Sequence, residues 1–116
     1  MQAARRFEDF TAPRHTLVAL VQDRPGVLTR AVSLFRRRGM NIAELRVVPT
    51  GRAGISRMMW IVESGDVHGV IRQLDKLIEV LDVYEVDERH AIDGAADAER
   101  RLDALLPGDA QADGVP

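Results

Sequence analysis

Thr16-Leu17-Val18-Ala19-Leu20-Val21-Gln22 runs straight into Asp23-Arg24-Pro25-Gly26 and then Val27-Leu28-Thr29-Arg30. The first seven residues are β-branched or apolar almost throughout and read as a strand, and the next four form a breaker run that closes it with a tight loop. After Gly26 the period changes. Val27, Leu28, Ala31, Val32, Leu34 and Phe35 recur at three- and four-residue spacing, while Thr29, Arg30, Arg36, Arg37 and Arg38 lie largely off that stripe. This is a helix with one apolar face, and Gly39 supplies its C-terminal stop.

Outward from this unit the same signals repeat. Residues 41–48 alternate, with Leu45 and Val47 on one face and Glu44 and Arg46 on the other, until Pro49 and Gly51 break the strand. Residues 57–63 form a third strand, with Met58, Trp60 and Val62 opposed to Met59 and Ile61. After Gly65 and Asp66, a second apolar stripe of Val67, Val70, Ile71, Leu74, Leu77 and Ile78 predicts a second helix. Residues 80–86 alternate as a fourth strand. The order βαββαβ, with right-handed crossovers, implies an α+β fold of ferredoxin-like type: a four-stranded antiparallel sheet with both helices on one face. Strands one and three are apolar on both faces, so a further cover is expected on the open face, and a second chain is the expected source.

The chain has 116 residues and no cysteine, so the fold rests on packing without disulfides or thiolate metal sites. Charge divides it into three parts. Residues 1–14 read as a flexible extension and residues 15–87 as the domain. Residues 88–116, with three Arg against seven acids, read as an acidic, mostly disordered tail. Within that tail Ala95, Ala98, Leu102, Leu105 and Leu106 allow a short helix over 95–106. No apolar run approaches the ~20 residues of a membrane span, and the first fourteen residues lack a signal-peptide core, which points to the cytoplasm. A net charge of −2 argues against a nucleic-acid partner.

Three functions compete on this topology. RNA recognition needs exposed rings on the central strands, and only Trp60 is offered, which reads better as core along with Met58 and Met59. A phosphatase-like site needs Arg24 and Asn41 to hold one phosphate, but the loop has a single glycine and no nucleophile–base pair accompanies it. His15, His68 and His90 are too scattered to form a ligand set. An amino-acid sensor fits the first loop. The free N–H groups near Gly26 suit a carboxylate, Asp23 or Asn41 offers oxygen to an ammonium, and Val27, Leu28 or Ile42 offers an apolar rest. From the loop alone, this cradle and a plain capped turn stay equally open.

A longer comparison settles the balance. The runs Arg14-His15-Thr16-Leu17-Val18, Asp23 through Arg30, Leu34-Phe35-Arg36-Arg37-Arg38-Gly39-Met40-Asn41-Ile42, Ser56-Arg57-Met58 and Gln73 through Val83 together resemble the N-terminal ACT domain of acetolactate synthase (acetohydroxyacid synthase) regulatory small subunits. The resemblance implies a non-catalytic chain that dimerises through its ACT domain, binds and activates the catalytic large subunit, and confers feedback inhibition by valine or another branched-chain amino acid. It implies no cofactor in this chain. Thiamine diphosphate, magnesium and FAD belong to the large subunit. It also implies an effector site at the dimer interface made of Asp23, Pro25, Gly26, Val27 and Leu28, with Asn41 and Ile42 from across the interface. Many members carry Asn at the position of Asp23; a carboxylate there strengthens the hold on an ammonium and repels a misplaced carboxylate. Longer members continue into a second domain, so this chain is expected to be of the short, single-ACT type. The alternative is a free-standing ACT sensor acting on another metabolic enzyme. Arg36, Arg37 and Arg38 read as a solvated face that favours the helix C-terminus, with an acidic patch on the large subunit as the other option.

Overall fold

The computed structural model describes residues 14–63, 66–87 and 94–106. The segments 1–13, 88–93 and 107–116, and with them most of the expected extension and part of the expected tail, lie outside the described residues.

Strand β1 (Arg14–Gln22) is followed by helix α1 (Val27–Arg37), strands β2 (Asn41–Pro49) and β3 (Ile55–Glu63), helix α2 (Val67–Asp75), strand β4 (Val80–Val86) and helix α3 (Gly94–Leu105). The four strands form one antiparallel sheet in the order β2-β3-β1-β4. This is the βαββαβ arrangement expected from the sequence, with β1 beginning one residue before the expected domain boundary.

Local chemistry sets the helix ends. Gly39 adopts a left-handed φ of +67°, which lets the Met40 N–H reach back to the Phe35 carbonyl at 3.0 Å and closes α1. The Asp66 side chain accepts from the Gly69 N–H at 2.9 Å and caps α2. The second apolar stripe overran its helix. Asp75 is the last helical residue, and the Lys76 and Leu77 N–H groups close onto Gln73 and Leu74 in a tight turn. Leu77 packs against the core, but Ile78 is 83% exposed.

Because side chains alternate along a strand, β1 feeds two separate cores. Leu17, Ala19 and Val21 face α1 and α2, where they meet Ala31, Phe35, Trp60, Val70 and Leu74. Val18 and Leu20 face the other way and meet Tyr84, Ala98 and Leu102. The cover expected from a second chain on this face is therefore supplied by the chain itself. The helix allowed for near 95–106 exists as α3, and it is docked.

α3 alone is too short to persist in water; tertiary contact holds it. Ala98 and Leu102 are buried under it, and polar ties surround them. The Glu99 carboxylate accepts from the Gly51 N–H at 2.6 Å, Arg52 pairs with Asp103 at 2.6 Å, and Arg101 pairs with Asp82 at 3.0 Å. The Arg101 guanidinium also lies 3.5 Å from the Tyr84 ring centroid. Burial, reinforced by nearby Asp97, raises the Tyr84 phenol above its ordinary pKa, so it stays neutral. Leu102→Asp places a charge where no water reaches and is expected to release α3. Far-UV CD then loses the α3 signal, and limited trypsin digestion cuts at Arg100 and Arg101 within the released α3 while the α1–α2 core stays folded. An unchanged cleavage pattern would count against docking.

Candidate functional site

The loop after β1 is pinned at both ends. The Gln22 N–H donates to the Glu79 carbonyl and the Asp23 N–H to the Gly54 carbonyl, each at 2.8 Å. The chain is thus held between the β2–β3 connection and the α2–β4 turn. Gly26 then takes a φ of +83°, a conformation costing other residues about 1–2 kcal/mol, and starts α1 without a side-chain cap. The Val27 N–H reaches the Arg24 carbonyl and the Arg30 N–H the Gly26 carbonyl. Among the described residues, no acceptor faces the N–H groups of Gly26, Leu28 and Thr29. Three donors and the positive end of the helix dipole point outward at this spot, a natural seat for a carboxylate.

Of the residues expected here, Asp23, Pro25 and Gly26 are exposed, and Leu28 is an exposed apolar residue. The Asp23 carboxylate caps nothing among the described residues. The side chain of Val27, expected as an apolar contact, is 3% exposed and packs in the α1–α2 core. Leu28 is the exposed large apolar side chain at this end of α1 among the described residues.

Asn41 and Ile42 lie elsewhere in the chain. β1 and β2 run parallel, both antiparallel to β3, and Asn41 aligns with Glu63 and Arg14 while Pro49 aligns with Ser56 near Gln22. The start of β2 is therefore a full nine-residue strand away from the Gly26 loop, about 26 Å at 3.3 Å per residue. There the Asn41 amide donates to the Glu63 carboxylate, which also pairs with Arg14 at 3.2 Å, and Ile42 packs against the core. A single copy cannot bring the two halves together. The same separation removes Arg24 and Asn41 as a joint phosphate grip. Trp60 is fully buried and closed to a base.

Two side chains with no site role expected from the sequence form a pair at Gly26. Arg30 curls back so that its Nη1 lies 3.0 Å from where a Cβ at position 26 would sit, and its Nη2 donates to the Glu79 carboxylate. Glu79 is buried, and its Oε1 has no partner among the described residues. The pair is 49 positions apart, and no periodicity announces it. An open cleft of about 560 Å³ at the far end of β4 is lined by Glu85, Asp87, Asp97, Arg100 and Arg101, but Asp97 already pairs with both arginines.

With this geometry in place, comparison with known proteins assigns the family. A family model described as the AHAS small subunit-like ACT domain matches residues 17–82. The chain belongs to this family. As an ACT domain of this kind, it is 51% identical over 77 residues to a probable acetolactate synthase small subunit of Archaeoglobus fulgidus, covering 65% of this chain and 48% of that protein. It is 44% identical over 82 residues to the acetolactate synthase small subunit of Mycolicibacterium smegmatis, covering 69% and 48%. The crystal structure of the acetolactate synthase small subunit from Thermotoga maritima superposes with a TM-score of 0.60 at 33% identity, covering 66% of this chain and 48% of that one. The ACT domain of a Chlorobium tepidum GTP pyrophosphokinase, at 14% identity and a TM-score of 0.56, covers 66% of this chain and all of that one, and shares the fold alone. This ACT-domain chain spans about half the length of the curated relatives it matches. No helix among its described residues is long and apolar enough to cross a membrane.

Proposed function

We propose that this chain is a regulatory subunit of a cytoplasmic acetolactate synthase: it binds the catalytic large subunit, raises its activity and transmits feedback inhibition by valine. The chemistry of condensing pyruvate, with its thiamine diphosphate, magnesium and FAD, resides in the large subunit. Membership of the small-subunit ACT family over the length of the sheet and its first two helices carries this reading, and the uncapped N-terminus of α1 at Gly26 supports the sensing part of it.

The effector site needs two copies. β2 is an edge strand with open N–H and C=O groups. Two copies paired antiparallel along β2 bring the start of one strand to the end of the other, so the partner copy's Asn41 and Ile42 arrive at the same end of the sheet as the first copy's Gly26 loop. A zwitterion there puts its carboxylate on the α1 N-terminus and its ammonium on side-chain oxygen, with Leu28 and the second copy's Ile42 around the aliphatic group. Valine then couples to activity by binding the two states of the complex unequally.

Thermal unfolding with each of the twenty amino acids in turn tests this. A ligand at 100 times its Kd adds about 2.7 kcal/mol of stability. Valine and its branched relatives alone are expected to shift the transition, and the chain is expected to co-purify with a thiamine-dependent large subunit. Co-purification with a different enzyme would favour the free-standing sensor, and a shift with no amino acid would overturn the sensing role.

A further inference from the structure

We propose that Arg30, held by the buried carboxylate of Glu79, is the side chain that receives the effector's carboxylate. The proposal rests on the amino-acid-sensing reading above and names the recognition group within that site.

Three observations converge. Arg30 sits one turn into α1, and its side chain folds back toward the helix start instead of extending into solvent; the bare Cα of Gly26 leaves the room, with Nη1 at 3.0 Å from the missing Cβ position. Nη2 is committed to Glu79, and among the described residues Nη1 has no acceptor. Glu79 itself keeps only 8% of its side chain exposed, while Arg30 keeps 45%. One partner is anchored and the other faces the ligand.

A carboxylate buried with one oxygen unpartnered is an unfavourable arrangement for packing alone. Here it orients a guanidinium edge beside Gly26, at the helix end where the N–H groups of Gly26, Leu28 and Thr29 have no backbone acceptor among the described residues. The guanidinium edge and the unpaired backbone N–H groups at the start of α1 match a carboxylate with one oxygen on the guanidinium and the other on the backbone. Glu79 also balances the charge of Arg30. A simple anion therefore meets a nearly neutral pair, and a zwitterion, which brings its own cation, leaves the site balanced. Arg30 is the ligand-contacting residue, and Glu79 is a positioning residue.

Calorimetric titration of the full chain with valine and with valinamide separates the terms, because the amide keeps the ammonium and side chain and lacks the carboxylate. The unaltered protein is expected to bind valine and to discriminate strongly against valinamide. Arg30→Gln combined with Glu79→Gln leaves no buried charge unpaired, so the fold is expected to hold by CD; valine affinity is expected to fall at least about tenfold, with discrimination against the amide largely lost. Arg30→Lys keeps the charge without the fork and is expected to recover part of the affinity. Glu79→Gln alone is expected to weaken valine while preserving discrimination against the amide. Valine affinity within twofold of the original in the double variant overturns the role of Arg30 and leaves the sensing reading intact. Absence of valine binding in the unaltered protein overturns both.

Discussion

In the Gly26→Asp variant the thermal shift with valine disappears, and valine inhibition of the reconstituted enzyme disappears with it, while binding to the large subunit persists. The backbone at position 26 has a φ of +83°, and aspartate tolerates left-handed geometry better than most residues, so the strain stays near 1 kcal/mol and the fold survives. The new side chain starts 3.0 Å from Arg30 Nη1 and carries a carboxylate. It occupies the anion seat from within the molecule, and a tethered competitor excludes a free one. Gly26→Ala separates the two causes, since it brings at least as much strain without the charge and is expected to keep part of the response. Differential scanning fluorimetry with valine, run on all three proteins beside a pull-down with the large subunit, checks the outcome. A full valine response in Gly26→Asp would remove the effector from this loop.

Trp60→Ala has the largest expected effect on stability. Trp60 is fully buried in the α1–α2 core, with its ring 5.1 Å from that of Phe35, and it is the chain's only tryptophan. Truncating such a residue costs about 3–5 kcal/mol, which approaches the whole stability of a domain this small. The variant is expected to be largely unfolded near 37 °C, as followed by far-UV CD through a urea titration. Trp60→Phe is expected to cost much less. The indole N–H is buried without a partner among the described residues, so its removal relieves a desolvated donor while most of the ring volume is kept. A Trp60→Phe variant as unstable as Trp60→Ala would mean that the N–H has an acceptor and that shape is not the main contribution.

The order of strands and helices was legible because its punctuation is chemical. Pro25-Gly26 and Gly39 mark backbone conformations that few other residues accept, and the two apolar periods differ sharply on either side of them. The role of α3 was only half legible. Val18 and Leu20 announce that the second face of β1 is buried, but a strand's pattern records burial without naming what does the burying. A helix whose sealing contacts come down to Ala98 and Leu102 offers too weak a stripe to claim that face in advance. The placement of Asn41 and Ile42 across an interface comes only through the family resemblance, and their distance from Gly26 follows from β1 and β2 being parallel. Arg30 and Glu79 left no trace, since an ion pair across 49 positions has no period to detect.

The docked helix α3 has one further consequence. Only residues 88–93 separate it in sequence from Asp87, just past the end of β4, so covalent attachment holds this helix at its seat at an effective concentration that a separate partner has to outcompete. Val18, Leu20 and Tyr84 are in that sense already liganded. Any other protein that bids for this face competes with an occupant that is always present and never diluted, and its apparent affinity falls by the helix's own local occupancy. Small changes in how tightly Leu102 seats then act as a dial on every such rival at once.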